Sequence, residues 1–107
     1  MVKDILDGVL KKTDIPFYYF ERPTDVFPCV VVSYQEATNY SADNVEEGVK
    51  YDIYLNLITK DNIRNHTKKI KDCMSDDFSK IIINAPMKLD GVDYFQITMN
   101  YRKSVGI

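Results

Sequence analysis

A chain of 107 residues, 45% hydrophobic and 28% charged, has enough apolar side chains for one core and too little length for a second, so one domain over 1–107 is expected. Its formal net charge of -2 and pI of about 5.3 do not favour a nucleic-acid backbone or an anionic membrane as partner, which makes nucleic-acid binding a minority reading. No apolar run approaches the roughly 18 residues of a membrane span, and Met1 to Lys12 carries charges throughout instead of a secretory signal, so a cytoplasmic protein is expected.

Val2, Ile5, Leu6, Val9 and Leu10 recur at helical spacing, with Lys3, Asp4, Asp7, Lys11 and Lys12 on the other side. This predicts a first helix with one face on the core, ended before Pro16 because the residue preceding a proline disfavours the helical region. Phe17 to Phe20 reads as a short aromatic strand, and the segment from Arg22 to Pro28, with two prolines, as a turn. Cys29 to Ala37 is the clearest continuous apolar strand and fits the middle of a sheet.

The next stretch raises a question. Thr38 to Glu47 reads as a polar loop, longer than the roughly two to five residues that most hairpin connections use. After it, from Gly48, the alternation is strict: Val49, Tyr51, Ile53, Leu55 and Leu57 point one way, and Lys50, Asp52, Tyr54 and Asn56 the other.

Asp61 or Asn62 can cap a second helix, whose apolar positions are Ile63, Thr67, Ile70 and Met74, with Cys73 beside them and Phe78 just beyond. Arg64, Lys68, Lys69, Lys71 and Asp72 take its opposite face. Lys80 to Ala85 reads as a further strand ended by Pro86. Met87 to Arg102 reads as a hairpin about Asp90 and Gly91, with Asp93, Phe95, Ile97, Met99 and Tyr101 alternating against Tyr94, Gln96, Thr98, Asn100 and Arg102. The tail from Lys103 to Ile107 reads as frayed. The expected architecture is therefore α+β: a mainly antiparallel sheet with two helices packed on one face, in the order α-β-β-β-α-β-β.

Few residues offer chemistry. His66 is the single histidine, and its place beside Arg64 and Lys68 reads as helix surface. Cys29 and Cys73 form no CxxC pair and have no histidine nearby, so they read as buried free thiols. Asp43, Glu46 and Glu47 lack the alternating ligands and central glycine of a calcium loop, and Asp76 and Asp77 mark a helix end. The lysines from Lys68 to Lys71 read as a solvated face, and the glycines are too scattered for a phosphate loop. No catalytic residue, cofactor or metal is expected. The eight tyrosines suit half-buried sheet surfaces and interfaces, and they lack the glycine-aromatic pattern of RNA-stacking sheets.

The order of these segments carries a resemblance. Phe27 to Asn44, then Tyr51 to Asn62, then a helix closing on Cys73 to Phe78, then Asp90 to Arg102, is similar to the tail-completion, or tail-terminator, proteins of long-tailed bacteriophages and prophages. The likeness runs from the first helix to Arg102. It implies a structural subunit without catalysis that assembles into a ring, usually hexameric, on the end of the tail tube. Such a ring stops tube polymerisation and joins tail to head, so its partners would be further copies of itself, the major tail tube protein and the head connector. Genomic DNA would be passing cargo, and the location the host cytoplasm during assembly and then the virion neck.

On this reading the polar segment is a subunit or tube interface, with Tyr40, Asp43, Asn44, Glu46 and Glu47 as its contact residues. An acidic loop facing a lumen would also repel DNA and let it pass. Two alternatives stand beside it: another neck protein, such as a head-tail adaptor, connector stopper or minor tail protein, and a small nucleic-acid-binding module using the tyrosine-bearing sheet face with Lys68, Lys69 and Lys71.

Overall fold

The apolar periodicity of the N-terminal segment produces α1, Val2–Lys11, in the computed structural model, which describes residues 2–22, 26–38, 41–42, 45–46, 48–88 and 90–106. Val2, Leu6, Val9 and Leu10 are its buried stripe, with Ile5 packed at the margin. The helix stops where Thr13 turns its hydroxyl back to donate to the Leu10 carbonyl at 2.6 Å and accepts from the Ile15 amide at 3.2 Å. Such local side-chain bonds compete with helical ones and end the run.

The strands are β1 (Phe17–Tyr19), β2 (Cys29–Thr38), β3 (Ser41–Ala42), β4 (Val45–Glu46) and β5 (Gly48–Thr59). After α2 (Ile63–Met74) come β6 (Ser79–Ile83) and β7 (Phe95–Gly106). The main sheet has the order β1-β2-β5-β7-β6, antiparallel throughout except for the short β1, which runs parallel to β2. This is the expected α+β architecture, with both helices on one face of the sheet.

Val30 and Val32 of β2, Tyr51, Ile53, Leu55 and Leu57 of β5, and Ile97, Met99 and Tyr101 of β7 all enter one core. There they meet the α1 stripe and Ile70, Met74 and Phe78. The period-two alternation of β5 is thus a burial pattern: one side is closed by helices and the other is left open.

Three segments differ from the sequence reading. Between β2 and β5 the described residues are strand, where a long loop is expected. Ser41 pairs with Glu46 and Ala42 with Val45, in the same register that aligns Thr38 with Val49, so β3 and β4 carry the β2–β5 hairpin onward. Only Asp43 and Asn44 stand between those two strands in the chain. The tail is also strand: Ser104, Val105 and Gly106 pair with Lys50, Val49 and Gly48, because the far end of β5 offers them an open row of backbone groups.

The third difference concerns the last hairpin. Among the described residues its first arm reduces to one bridge, Met87 with Gln96, and the sustained partner of β7 is β6, with a register shift between Lys80 and Ile82. The turn glycine has the expected positive φ, 82° at Gly91.

The paired strands extend past the helices. The molecule measures 52 × 28 × 22 Å with a radius of gyration of 15.1 Å, against roughly 13 Å for a compact chain of about this length. A ribbon built from the far ends of β2, β5 and β7, continued by β3 and β4, accounts for the elongation.

Candidate functional site

The ribbon holds the segment for which an interface is expected. Glu46 lies in β4 opposite Ser41, while Tyr40, Asp43, Asn44 and Glu47 lie outside the described residues. The shared register explains how β3 and β4 are positioned: backbone pairing places them in line with β2 and β5.

The sheet face away from the helices is polar and knit by cross-strand bonds. Asn56 Oδ1 accepts from Thr98 Oγ1 at 2.8 Å and from Gln96 Nε2 at 3.3 Å. Asn100 donates to the Ile53 carbonyl at 3.2 Å, and Arg102 Nε meets Asp52 Oδ1 at 2.9 Å. These pairs hold the register of β5 and β7 where hydrophobic contacts are missing. Tyr54 is half-buried on the same face.

Both sheet edges are open for part of their length. On one side β1 pairs only with Val30 to Val32, so β2 from Ser33 onward has no further partner there among the described residues. Phe20, 61% exposed, stands at that corner with its ring 5.4 Å from Tyr34. On the other side lies β6, whose Ile81 and Ile82 are 46% and 53% exposed. An edge strand with outward isoleucines is a template for pairing, which soluble monomers usually blunt with charge or proline.

Between α2 and the β6 edge runs an open groove of about 740 Å³. Ile63, Ile83, Pro86 and Ile97 give it apolar walls, and Arg64, Lys68 and Lys71 stand along it with Asp72. The three cations are exposed, and none enters a salt bridge among the described residues. The sequence reading takes these lysines as a solvated helix face or, in the nucleic-acid alternative, as phosphate contacts. What it lacked was the apolar wall opposite, supplied by a strand about 15 positions further along the chain.

The remaining reactive groups are dispersed. Cys29 is buried in β2, and burial raises its thiol pKa, opposed in part by the Arg22 guanidinium. Cys73 is only partly buried, so one of the two expected buried thiols is nearer the surface. His66 is half-buried, not fully on the surface, and its Nδ1 is enclosed without a hydrogen-bond partner among the described residues. Among the described residues no three His, Cys, Asp or Glu side chains gather at metal-binding distance.

No helix of the described residues is long and apolar enough to cross a membrane. No protein-family model matches the chain, and no curated protein matches it.

Proposed function

We propose that this chain is a structural assembly subunit: a tail-terminator protein of a long-tailed phage or prophage that forms a ring, hexameric in the family it resembles, at the end of the tail tube. In this role it ends tube growth and joins tail to head, acts without catalysis or cofactor, and has the tube protein and head connector as partners. DNA passes through the ring as cargo. The subunit acts in the host cytoplasm during assembly and resides afterwards in the virion neck.

The observation that supports the reading is the projecting ribbon on a body whose two sheet edges are both partly open. A subunit that offers different surfaces on opposite sides makes heterologous contacts, and a repeated heterologous contact closes into a ring when its rotation divides the circle. The ribbon then supplies reach to a neighbour or to the tube.

The test is negative-stain microscopy of particles from a strain lacking the gene, beside a complemented control. Filled heads with detached tails of irregular or excessive length are the expected result. Normally joined particles of normal tail length would sink the proposal. The nucleic-acid reading has its own assay: binding that weakens steeply with salt would favour it over assembly.

A further inference from the structure

The main sheet ends in two partly open edges, and their open parts stand at the same height. Across the register, Ser33 aligns with Tyr54, Asn100 and Ile82, Tyr34 with Ile53, Tyr101 and Lys80, and Gln35 with Asp52, Arg102 and Ser79. β1 covers β2 only as far as Val32. Just past it the chain leaves the edge through a γ-turn, in which the Glu21 amide donates to the Tyr19 carbonyl at 2.8 Å and Phe20 takes φ 63°. From Ser33 to Gln35, then, β2 has no outer partner among the described residues, and that stretch is level with β6 at the far end of the sheet.

The two edges also complement each other. Glu36 pairs with Tyr51 and Lys80 with Tyr101, and both tyrosines belong to the core under the helices. Directly paired residues share a face, so the glutamate at one edge and the lysine at the other lie on the same side of the sheet. Both are exposed, and neither enters a salt bridge among the described residues. Lys71 joins Lys80 around a shallow hollow beside β6, against one carboxylate, Asp72. Each edge carries uncovered apolar surface as well: Phe20 beside Tyr34 at one, Ile81 and Ile82 at the other.

The geometry points to a second copy of this chain as the occupant of each edge: β6 of one subunit pairs antiparallel with the open part of β2 of the next, so that one sheet runs on through the seam. The direction follows from the pairing, since β2 and β7 both run against β5, and β6 runs against β7. A rotation about an axis along the strands joins the edges without a shift, because they are already level. Lys80 then faces Tyr34 of the next copy, and Glu36 lies two residues further along, a diagonal neighbour within reach of a long side chain. Because the edges are different surfaces, the contact is heterologous and repeats from subunit to subunit. It rests on the ring reading and supplies that ring's seam.

Disulfide trapping of the full chain tests it. Gln35 and Ser79 are exposed and level, one on each edge, so Gln35→Cys with Ser79→Cys in one chain places two thiols across every seam. At hundreds of micromolar, oxidation with copper phenanthroline is expected to give this double variant a ladder of covalent trimers and larger species. The two single variants mixed in equal amounts should stop at the dimer, and either alone, with the native Cys29 and Cys73, should stay monomeric. Circular dichroism and melting establish that the variants fold. Sedimentation adds a charge test: Glu36→Lys or Lys80→Glu should weaken association about two- to fivefold per seam, and the two reversals in one chain should restore it. A folded double-cysteine variant without a ladder overturns the seam. So does a ladder that the single variants reproduce, or a charge exchange that fails to restore association. Sedimenting oligomers without the ladder also overturn it while leaving the ring reading standing, since that reading is decided separately by the particles of the deletion strain.

Discussion

Tyr19 ties the first helix to the edge of the sheet. Its hydroxyl donates to Asp7 Oδ1 at 2.6 Å, and Lys3 lies both 3.6 Å from the Asp7 carboxylate and 4.9 Å from the Tyr19 ring centre. Burial first, and then the bond to a carboxylate that accepts from the neutral phenol, raise its pKa well above the ordinary 10.0. A pKa raised on folding gives stability that is fully present below pH about 10 and is lost as pH climbs beyond it. Absorbance titration should therefore find Tyr19 still protonated where a free phenol is half-ionised, and Asp7→Asn should lower its midpoint. An unshifted Tyr19 would contradict the described contact. Deeper in the core, Leu55 is wholly buried. Leu55→Ala should cost about 2–5 kcal/mol in urea unfolding, as large-to-small changes at packed sites do.

Among the elements, α2 begins in an unusual way. Asn62 holds its N-terminus at φ 52° with no side-chain cap bond, so the expected capping position is right and the expected capping bond is absent. Asparagine and glycine tolerate this left-handed conformation, and other residues do so at a cost. Asn62→Gly should leave stability unchanged or slightly higher, and Asn62→Ala should lower it by about 1–2 kcal/mol; urea titration distinguishes them. Within the sheet, β5 is paired on both sides and β6 on one. Hydrogen exchange should be slowest from Tyr51 to Ile58 and faster in Ser79–Ile83, and equal rates would contradict the strand order.

What was legible in these elements follows from what they face. The stripe of α1, the alternation of β5 and the apolar run of β2 are patterns imposed by one buried core, and each could be read directly. The described residues of the segments from Thr38 to Glu47 and from Lys103 to Gly106 are strand, paired mainly through their backbones, and their side chains do not alternate apolar with polar as those of a half-buried strand do. Their polarity resembled a loop and a loose tail. The available signal was Asp43-Asn44, a pair of turn-tolerant residues midway between segments that align in one register. The strand expected at Lys80 to Ala85 forms as β6, and its place at an edge, with Ile81 and Ile82 exposed, depends on strand order that the sequence does not carry.

For the whole molecule, the ribbon and the body are separable in their energetics. The buried core gathers around Val30, Ile53 and Met99, and β3 and β4 pair with each other in the two-stranded extension beyond it. Replacing residues 39–48 with an Asn-Gly turn, which suits a two-residue hairpin, should keep cooperative unfolding. It should change stability by about 1 kcal/mol or less, under roughly 8 °C in Tm. A shortened chain that no longer folds would show that the ribbon supports the core. The candidate site was only partly legible at this scale: the acidic segment was visible in the chain, whereas the groove forms only when α2 meets residues from β6 onward.

The most direct measurement of the assembly role is extract complementation. Lysate from the deletion strain, containing unjoined heads and tails, would be mixed with purified protein and titred for infectious particles. The account predicts that the wild-type chain restores the titre toward that of the complemented strain, while the chain lacking residues 39–48 does not. Equal titres with and without the wild-type protein, from a lysate whose particles are already joined, would contradict it.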